Sequence, residues 1–278
     1  MHWRGFDAWL GGANLFLIGA TLFAAMCVAA LIGNLLQRRA DKHKPAGKGD
    51  GQEGYIVTAV LGLLALLMGF TFSLAVDRFD ARRHLVLEEA NAIGTAYLRT
   101  QLLPEPHRSR LTALLVGYTN NRIALARAAP GSALQQQLLR TNDALLTDIW
   151  SATSAAFDSI KGMAFANAYL ESVNAVIDLD ESRKTERQQR VPTEVFGVLF
   201  IYLITTAGVL GYVLTGQRGR LAAAFLLALL TLSLVLILDI NRPTTGGITE
   251  SQQPMEDLLK SLATPPTVYD RWRTPAAG

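Results

Sequence analysis

The chain has 278 residues, and 86 of them fall in four stretches that contain no Asp, Glu, Lys, Arg or His, which excludes a soluble globular protein. The 49 charged side chains crowd into the other 192 residues at the ordinary density of water-exposed protein. A balance of 26 Lys+Arg against 23 Asp+Glu leaves +3, too little for a nucleic-acid footprint, and the single Cys27 excludes intrachain disulfides and thiolate metal sites.

The first apolar stretch, Ala13 to Leu36, has 24 residues and runs into Arg38 and Arg39. Cleaved signal peptides have apolar cores of about 7–15 residues, so this one reads as a retained span. Met26 occupies the small-residue position that a lipoprotein signal needs before its cysteine, which leaves Cys27 as a small buried hydrophobe. A loop follows from Gln37 to Gly54, with Arg38, Arg39, Lys42, Lys44, Lys48 and a Pro/Gly-rich linker stretch. The second span is Tyr55 to Val76.

Residues 77–191 carry no strand-like alternation, and their apolar residues recur at helical spacing. A first helix continues out of the second span along Arg78, Arg82, Val86, Glu89, Ile93 and Tyr97 and stops before Pro104. Leu111, Leu114, Leu115, Tyr118 and Ile123 line the next, which Pro130-Gly131 ends. Ser132 suits the N-cap of a third helix striped by Leu134, Leu138, Leu145 and Ile149. Phe165, Tyr169, Val173, Val176 and Ile177 mark the last helix, which descends to Pro192. The third span, Val195 to Gly216, and the fourth, Leu221 to Leu238, flank a loop of only Gln217 to Arg220.

The expected fold is an all-α integral membrane protein in which four transmembrane helices form two hairpins flanking a soluble helical bundle. Its pieces are an N-terminal hairpin (1–76), the bundle (77–191), a C-terminal hairpin (192–238) and a tail (239–278). Counted over short segments, the two loops hold seven Lys/Arg and the terminal flanks two, Arg4 and Arg242. That count puts the loops in the cytoplasm of a multi-pass cell-membrane protein, with bundle and both termini outside. The bundle ends add Arg78, Arg82, Arg83, Arg183, Lys184, Arg187 and Arg190, which reverse the count where they are included.

Residues 49–54 match G-x-G-x-x-G formally, but they lie in a loop between membrane helices, without the strand and helix that make this pattern hold a pyrophosphate. No Walker A, G-x-S-x-G, H-E-x-x-H or C-x-x-C pattern occurs, so the chain offers enzyme chemistry no foothold. Leu63, Leu67, Phe70, Leu74 and Asp77 share one face of the second span, and in an oligomer that face would line an apolar constriction with an acidic mouth. The same stripe is also ordinary lipid or core contact. Asp77 and Asp239 end two spans on one side of the membrane, where Arg78, Arg82, Arg190 and Arg242 would neutralise them in a structural ring or leave an ion-attracting vestibule. If the two helices that join the bundle to the membrane are antiparallel, Glu88, Asn91, Asn174, Asp178 and Glu181 fall at matching heights. They would form an all-oxygen cluster that suits a weakly bound divalent cation such as Ca²⁺, or else a solvated acidic face. No other cofactor is expected.

The stretch Gly69 to Arg83 (GFTFSLAVDRFDARR), its continuation Glu88 to Leu98 (EEANAIGTAYL), and the pieces NAVID (174–178), DINRP (239–243) and SQQP (251–254) resemble the bestrophin-like family of bacterial membrane proteins. The likeness runs from Tyr55 to about Leu262. It implies the layout of bestrophins, pentameric anion channels whose second span forms an apolar neck, and would put Phe70 and Leu74 at that neck. Two features depart from the pattern: Asp77 would repel anions, and bestrophins keep their helical domain in the cytoplasm. The expected function is an oligomeric ion channel, pentameric by that analogy, in the lipid bilayer. The alternative is a non-conducting scaffold or sensor whose bundle binds a partner or a cation.

Overall fold

The computed structural model describes residues 3–42, 52–243, 245–263 and 267–270, and among them every regular element is a helix. The order is α1 (Trp3–Gly12), α2 (Leu15–Asp41), α3 (Gln52–Thr100), α4 (His107–Arg127), α5 (Ala133–Ile160), α6 (Ala166–Gln188), α7 (Thr193–Val213), α8 (Gly216–Asn241), α9 (Gln253–Leu262) and α10 (Thr267–Asp270). Four of these helices are long and apolar enough to cross a membrane, and the chain is an all-α integral membrane protein. Two compact units divide it: unit 1 holds residues 1–79 and 190–249, unit 2 holds 80–189 and 250–278.

In unit 1, Asn14 caps α2 by accepting from Phe16 N at 2.8 Å, and Arg38 and Arg39 sit in the last turn, where cations suit the helix dipole. The closest helix seams join α2 to α7 and α8, α7 to α8, and α1 to α7; α3 is in none of them. At the crossing of α2 and α7, a methyl group on Gly33 or Gly211 would collide with the backbone of Gly208 or Ala30. Glycine is needed there because, among apolar surfaces, close backbone approach is what holds membrane helices together. Ile18, Leu22, Met26, Leu64, Met68, Phe196, Leu199, Leu203, Leu227 and Leu234 fill the core. Phe16, Leu31, Leu35, Phe70, Ile201, Phe225 and Leu232 face outward, an arrangement that water penalises and lipid tolerates.

The hairpin between α7 and α8 turns one step earlier than its charges suggest. Gly216 has φ +75°, which makes the turn there, and Gln217 to Arg220 already belong to α8. The sequence reading also missed α1, whose Phe6 and Trp9 rings pack on Phe200 at 5.5 and 6.4 Å between centroids.

In unit 2, Ser132 caps α5 by accepting from Gln135 N at 3.0 Å. Val86, Ile93 and Tyr97 of α3 bury with Leu111, Leu115 and Tyr118 of α4, Ile149 and Ile160 of α5, and Tyr169, Val173 and Val176 of α6. Leu134, expected in the α5 stripe, is 56% exposed; the buried stripe starts later, at Asn142. The expected tail is not separate either. Residues 239–249 belong to unit 1, while α9 joins the bundle, inserting Met255 at 0% exposure and Leu262 at 6%.

Met255→Ala removes a fully buried side chain and leaves a cavity that the bundle fills only in part, so it should cost about 2–5 kcal/mol. Denaturant unfolding of the full chain measures this, and a parent-like midpoint would show that α9 is an accessory to the fold.

Candidate functional sites: the outer face of α3 and a buried ion network

In its unit 1 portion, α3 is two-faced. Leu64, Met68, Thr71 and Ala75, spaced four, three and four apart, are buried, and Thr71 Oγ1 satisfies itself by donating to Leu67 O at 2.8 Å. The predicted pore stripe lies on the adjacent face, one residue or about 100° round the helix: Leu63 is 50% exposed, Phe70 63% and Leu74 50%, and Asp77 is exposed. Leu67 departs from that stripe, being half-buried against the unit 1 core. Gly62 and Gly69 have no neighbour within 4 Å of the position of a β-carbon. The close small-residue contacts are those of α2 with α7.

Of the five residues assigned to a boundary charge ring, Arg190, Asp239 and Arg242 come together in unit 1, where Asp239 and Arg190 both act electrostatically on Arg242. Arg82 belongs to unit 2, is buried, and places Nε 2.5 Å from Glu250 Oε1. In unit 1, the Arg242 guanidinium donates to Leu10 O and feels the attraction of nearby Asp239, which accepts from Gly247 N at 2.5 Å. Arg190 is exposed beside Gly11, and Arg78 is exposed too. A backbone carbonyl or amide can hydrogen-bond a charged side chain without neutralising it, and a charge count along the sequence cannot see these partners.

The expected cation cluster does not assemble. Glu88 pairs with His84 along its own helix at 3.1 Å, and Asn91, Asn174, Asp178 and Glu181 are exposed. Among the described residues, no group of three or more His, Cys, Asp or Glu side chains converges to hold a metal ion. The two helices run antiparallel, with Arg183 on Glu89 and Arg99 on Ala168 O, and the buried carboxylates are one position round each helix from those expected. Glu89 lies twelve residues past Asp77 and Asp180 twelve before Pro192, and these two are buried where Glu88 and Glu181 are not. A one-residue step turns a helix by about 100°.

Glu89 and Asp180 anchor an ion network across four helices. Arg122 of α4 sets Nε 2.9 Å from Glu89 Oε1, an ion contact rather than an aligned hydrogen bond, and donates from Nη2 to Glu89 Oε2 at 3.2 Å. Its Nη1 lies 3.0 Å from Asp180 Oδ1. Arg183 of α6 donates to Glu89 Oε2 as well. Tyr118 donates to Glu89 Oε1 at 2.6 Å, Asn142 of α5 to Asp180 Oδ1 at 3.0 Å, and Lys184 lies 2.8 Å from Asp180 Oδ2. Burial pushes the Glu89 carboxyl up, but Arg122, Arg183 and the Tyr118 hydroxyl outweigh it and hold it below the usual carboxylate range. Asp180 goes the same way: burial raises it, and Arg122, Lys184 and Asn142 bring it down. Burial and the Glu89 charge drive the Tyr118 phenol well above its ordinary value, which keeps it a donor. The network ties α3, α4, α5 and α6 together by charge and hydrogen bonds. Its sequence signal was present in part: Glu89 falls in the α3 stripe, and Arg122 continues Leu111, Leu115 and Tyr118 at spacings of four, three and four. A charge in register with an apolar face predicts a buried partner.

The chain matches the model of the bestrophin-like domain over residues 24–255. Its fold is similar to crystal structures of a bacterial bestrophin homologue from Klebsiella pneumoniae. One point variant has 14% identity and a TM-score of 0.65, covering 87% of this chain and 96% of the other. A second variant has 14% identity and a TM-score of 0.63 over 90% and 98%, and a structure phased with zinc gives 14% and 0.57 over 89% and 95%. No curated protein matches.

Because the folded-state values of Glu89 and Asp180 lie below the unfolded ones, their stabilisation is complete above the ordinary carboxylate pKa of about 4 and is lost as pH falls through the folded values. Thermal melts should therefore be flat in this respect from pH 7 to 5 and drop in more acidic buffer. Glu89→Gln strands Arg122 and Arg183 without their shared anion, should cost about 3–5 kcal/mol at pH 7, and should flatten the acid limb. A variant with the parent's melting curve at both ends would remove the network from the account of stability.

Proposed function

Since the chain belongs to the bestrophin-like family, we propose that it is a homo-oligomeric membrane channel in which copies of α3 surround an axis and ions pass along Leu63, Leu67, Phe70 and Leu74. Family membership supports a channel-like, non-enzymatic role in coarse terms; the path, the ion and the copy number, five by analogy with bestrophins, are part of this proposal. The observation that carries it is the exposure of Phe70 at 63% and Leu74 at 50% on a face of α3 turned about 100° from its buried face. An apolar ring of this kind gates by dewetting, and Asp77 at its end attracts cations and repels anions. The loops keep their place in the cytoplasm in this reading, with the bundle outside. Lys48, the natural reporter of that topology, lies outside the described residues, so Ser132→Cys in a Cys27→Ala background is the better one: labelling by an impermeant reagent on intact cells is expected, and protection reverses the orientation.

Phe70→Ala should widen and wet the constriction, raising conductance several-fold in reconstituted bilayers. Asp77→Asn should move the reversal potential under a salt gradient toward anions. If the purified protein and Phe70→Ala are both silent at either voltage sign, with and without Ca²⁺, the non-conducting scaffold or sensor reading replaces the channel, and Phe70 and Leu74 become helix-packing residues.

A further inference from the structure

At the end of unit 1 where α7 begins and α8 stops, a notch opens between Gly11 of α1, Arg190 and Thr193 at the start of α7, and Arg242 past the end of α8. Phe196 and Leu238 form its apolar side. They stand at the edges of the uncharged runs Val195 to Gly216 and Leu221 to Leu238, so the notch lies where hydrocarbon gives way to headgroups. Arg242 is 4% exposed, donates from Nη2 to Leu10 O, and holds a buried Nε that has no hydrogen-bond partner among the described residues. An enclosed guanidinium N–H without an acceptor is costly. Arg190 is exposed, with Nη1 3.1 Å from the position of a β-carbon on Gly11, and makes neither a hydrogen bond nor an ion pair among the described residues. The one carboxylate in the lining, Asp7, already accepts from Thr193 Oγ1 at 2.7 Å. Asp239 attracts Arg242 from outside the lining and accepts from Gly247 N at 2.5 Å. The first N–H groups of α7 have no side-chain cap, which adds a helix N-terminus of the sign that favours an anion.

We propose that this notch holds the phosphate of an anionic phospholipid, with one phosphoryl oxygen turned in toward Arg242 and the others bridged by Arg190. Two guanidiniums from separate segments suit a group that offers several oxygens at once. The enclosed room, about 20 Å³, takes one oxygen-sized particle, so the rest of the headgroup stays at the rim. A lipid whose chains remain in the hydrocarbon must bind in that way. Inorganic phosphate shares the chemistry, but it gains nothing from the apolar side at Phe196 and Leu238. Basic pockets between membrane helices at headgroup depth recognise anionic lipids by this combination. A lipid held here would fasten α1, α7 and α8 at one end of unit 1. The site is independent of the α3 face that the channel proposal uses, and its test reads lipid binding rather than current.

The experiment is a thermal melt of the purified full-length protein, delipidated in a maltoside detergent and titrated with phosphatidylglycerol. The melting temperature should rise saturably, by about 3–5 °C at ten times the half-saturating concentration. Diacylglycerol with the same chains, or inorganic phosphate at the same concentrations, should leave it unchanged. Arg190→Gln removes an exposed, unpaired side chain, so it should melt like the parent without lipid and need about tenfold more phosphatidylglycerol. Arg218→Gln, exposed at the other end of α8, should respond as the parent does. A flat parent response, an equal rise with diacylglycerol or inorganic phosphate, or an undiminished response in Arg190→Gln overturns the site. Should that variant not fold, phosphatidylglycerol with a photoreactive headgroup decides on the parent: cross-links concentrated at residues 7–12 or 190–196 support the proposal, and cross-links found only elsewhere overturn it.

Discussion

A helix at hydrocarbon depth is free to bury small residues against its own chain, but large side chains turned away from that chain must meet lipid or another protein. α3 meets this constraint in one direction only. It buries Leu64, Met68, Thr71 and Ala75 and stays out of the close seams that bind α2, α7 and α8, while Phe70 and Leu74 face away from the unit 1 core. In water the hydrophobic effect would cover such a face at once; in lipid nothing forces closure, so packing geometry decides what covers it. The small-residue crossing that does hold unit 1 together is spent elsewhere, at Gly33 and Gly211. The channel proposal follows from this division of labour within a single protomer.

Unit 2 solves the opposite problem. Its solvent is water, its core is apolar, and into that core three helices bring Glu89, Arg122, Asp180 and Arg183, all nearly inaccessible. Buried charges of this sort add little net stability when paired and cost much when one partner is lost. Their consequence is specificity of register: a slip of one turn in α4 or α6 would strand a guanidinium. The apolar contacts around Tyr97, Tyr118 and Tyr169 supply the cohesion, and the ion contacts select one arrangement of the helices.

Much of this was legible in the sequence because helical membrane proteins write their fold in long runs. The four apolar stretches, the passage of the second span into the bundle, the Ser132 cap and the stripes of α4 and α6 are all found in the structure. The charge cluster was misread at the level of one residue. Periodicity put Glu89 on the apolar face of α3, yet the height argument reached for Glu88, and height alone does not say which way a side chain points. The tail was misread for another reason: Met255, Leu258 and Leu262 keep helical spacing, but ten residues are too few to stand out against a polar surround. The partners of Arg242, a backbone carbonyl and a carboxylate in its own segment, leave no trace in composition at all.

The central claim is that the outer face of α3 is covered by other copies of the same chain around a common axis. Spin labels at Leu74→Cys in a Cys27→Ala background, with intermolecular distances measured by pulsed electron resonance in lipid nanodiscs, test it directly. A closed ring gives a short distance between neighbours and a longer, discrete one across the axis, both unchanged by dilution with lipid. A featureless decay that weakens as lipid is added would mean that α3 faces the bilayer, and the channel proposal would lose its foundation.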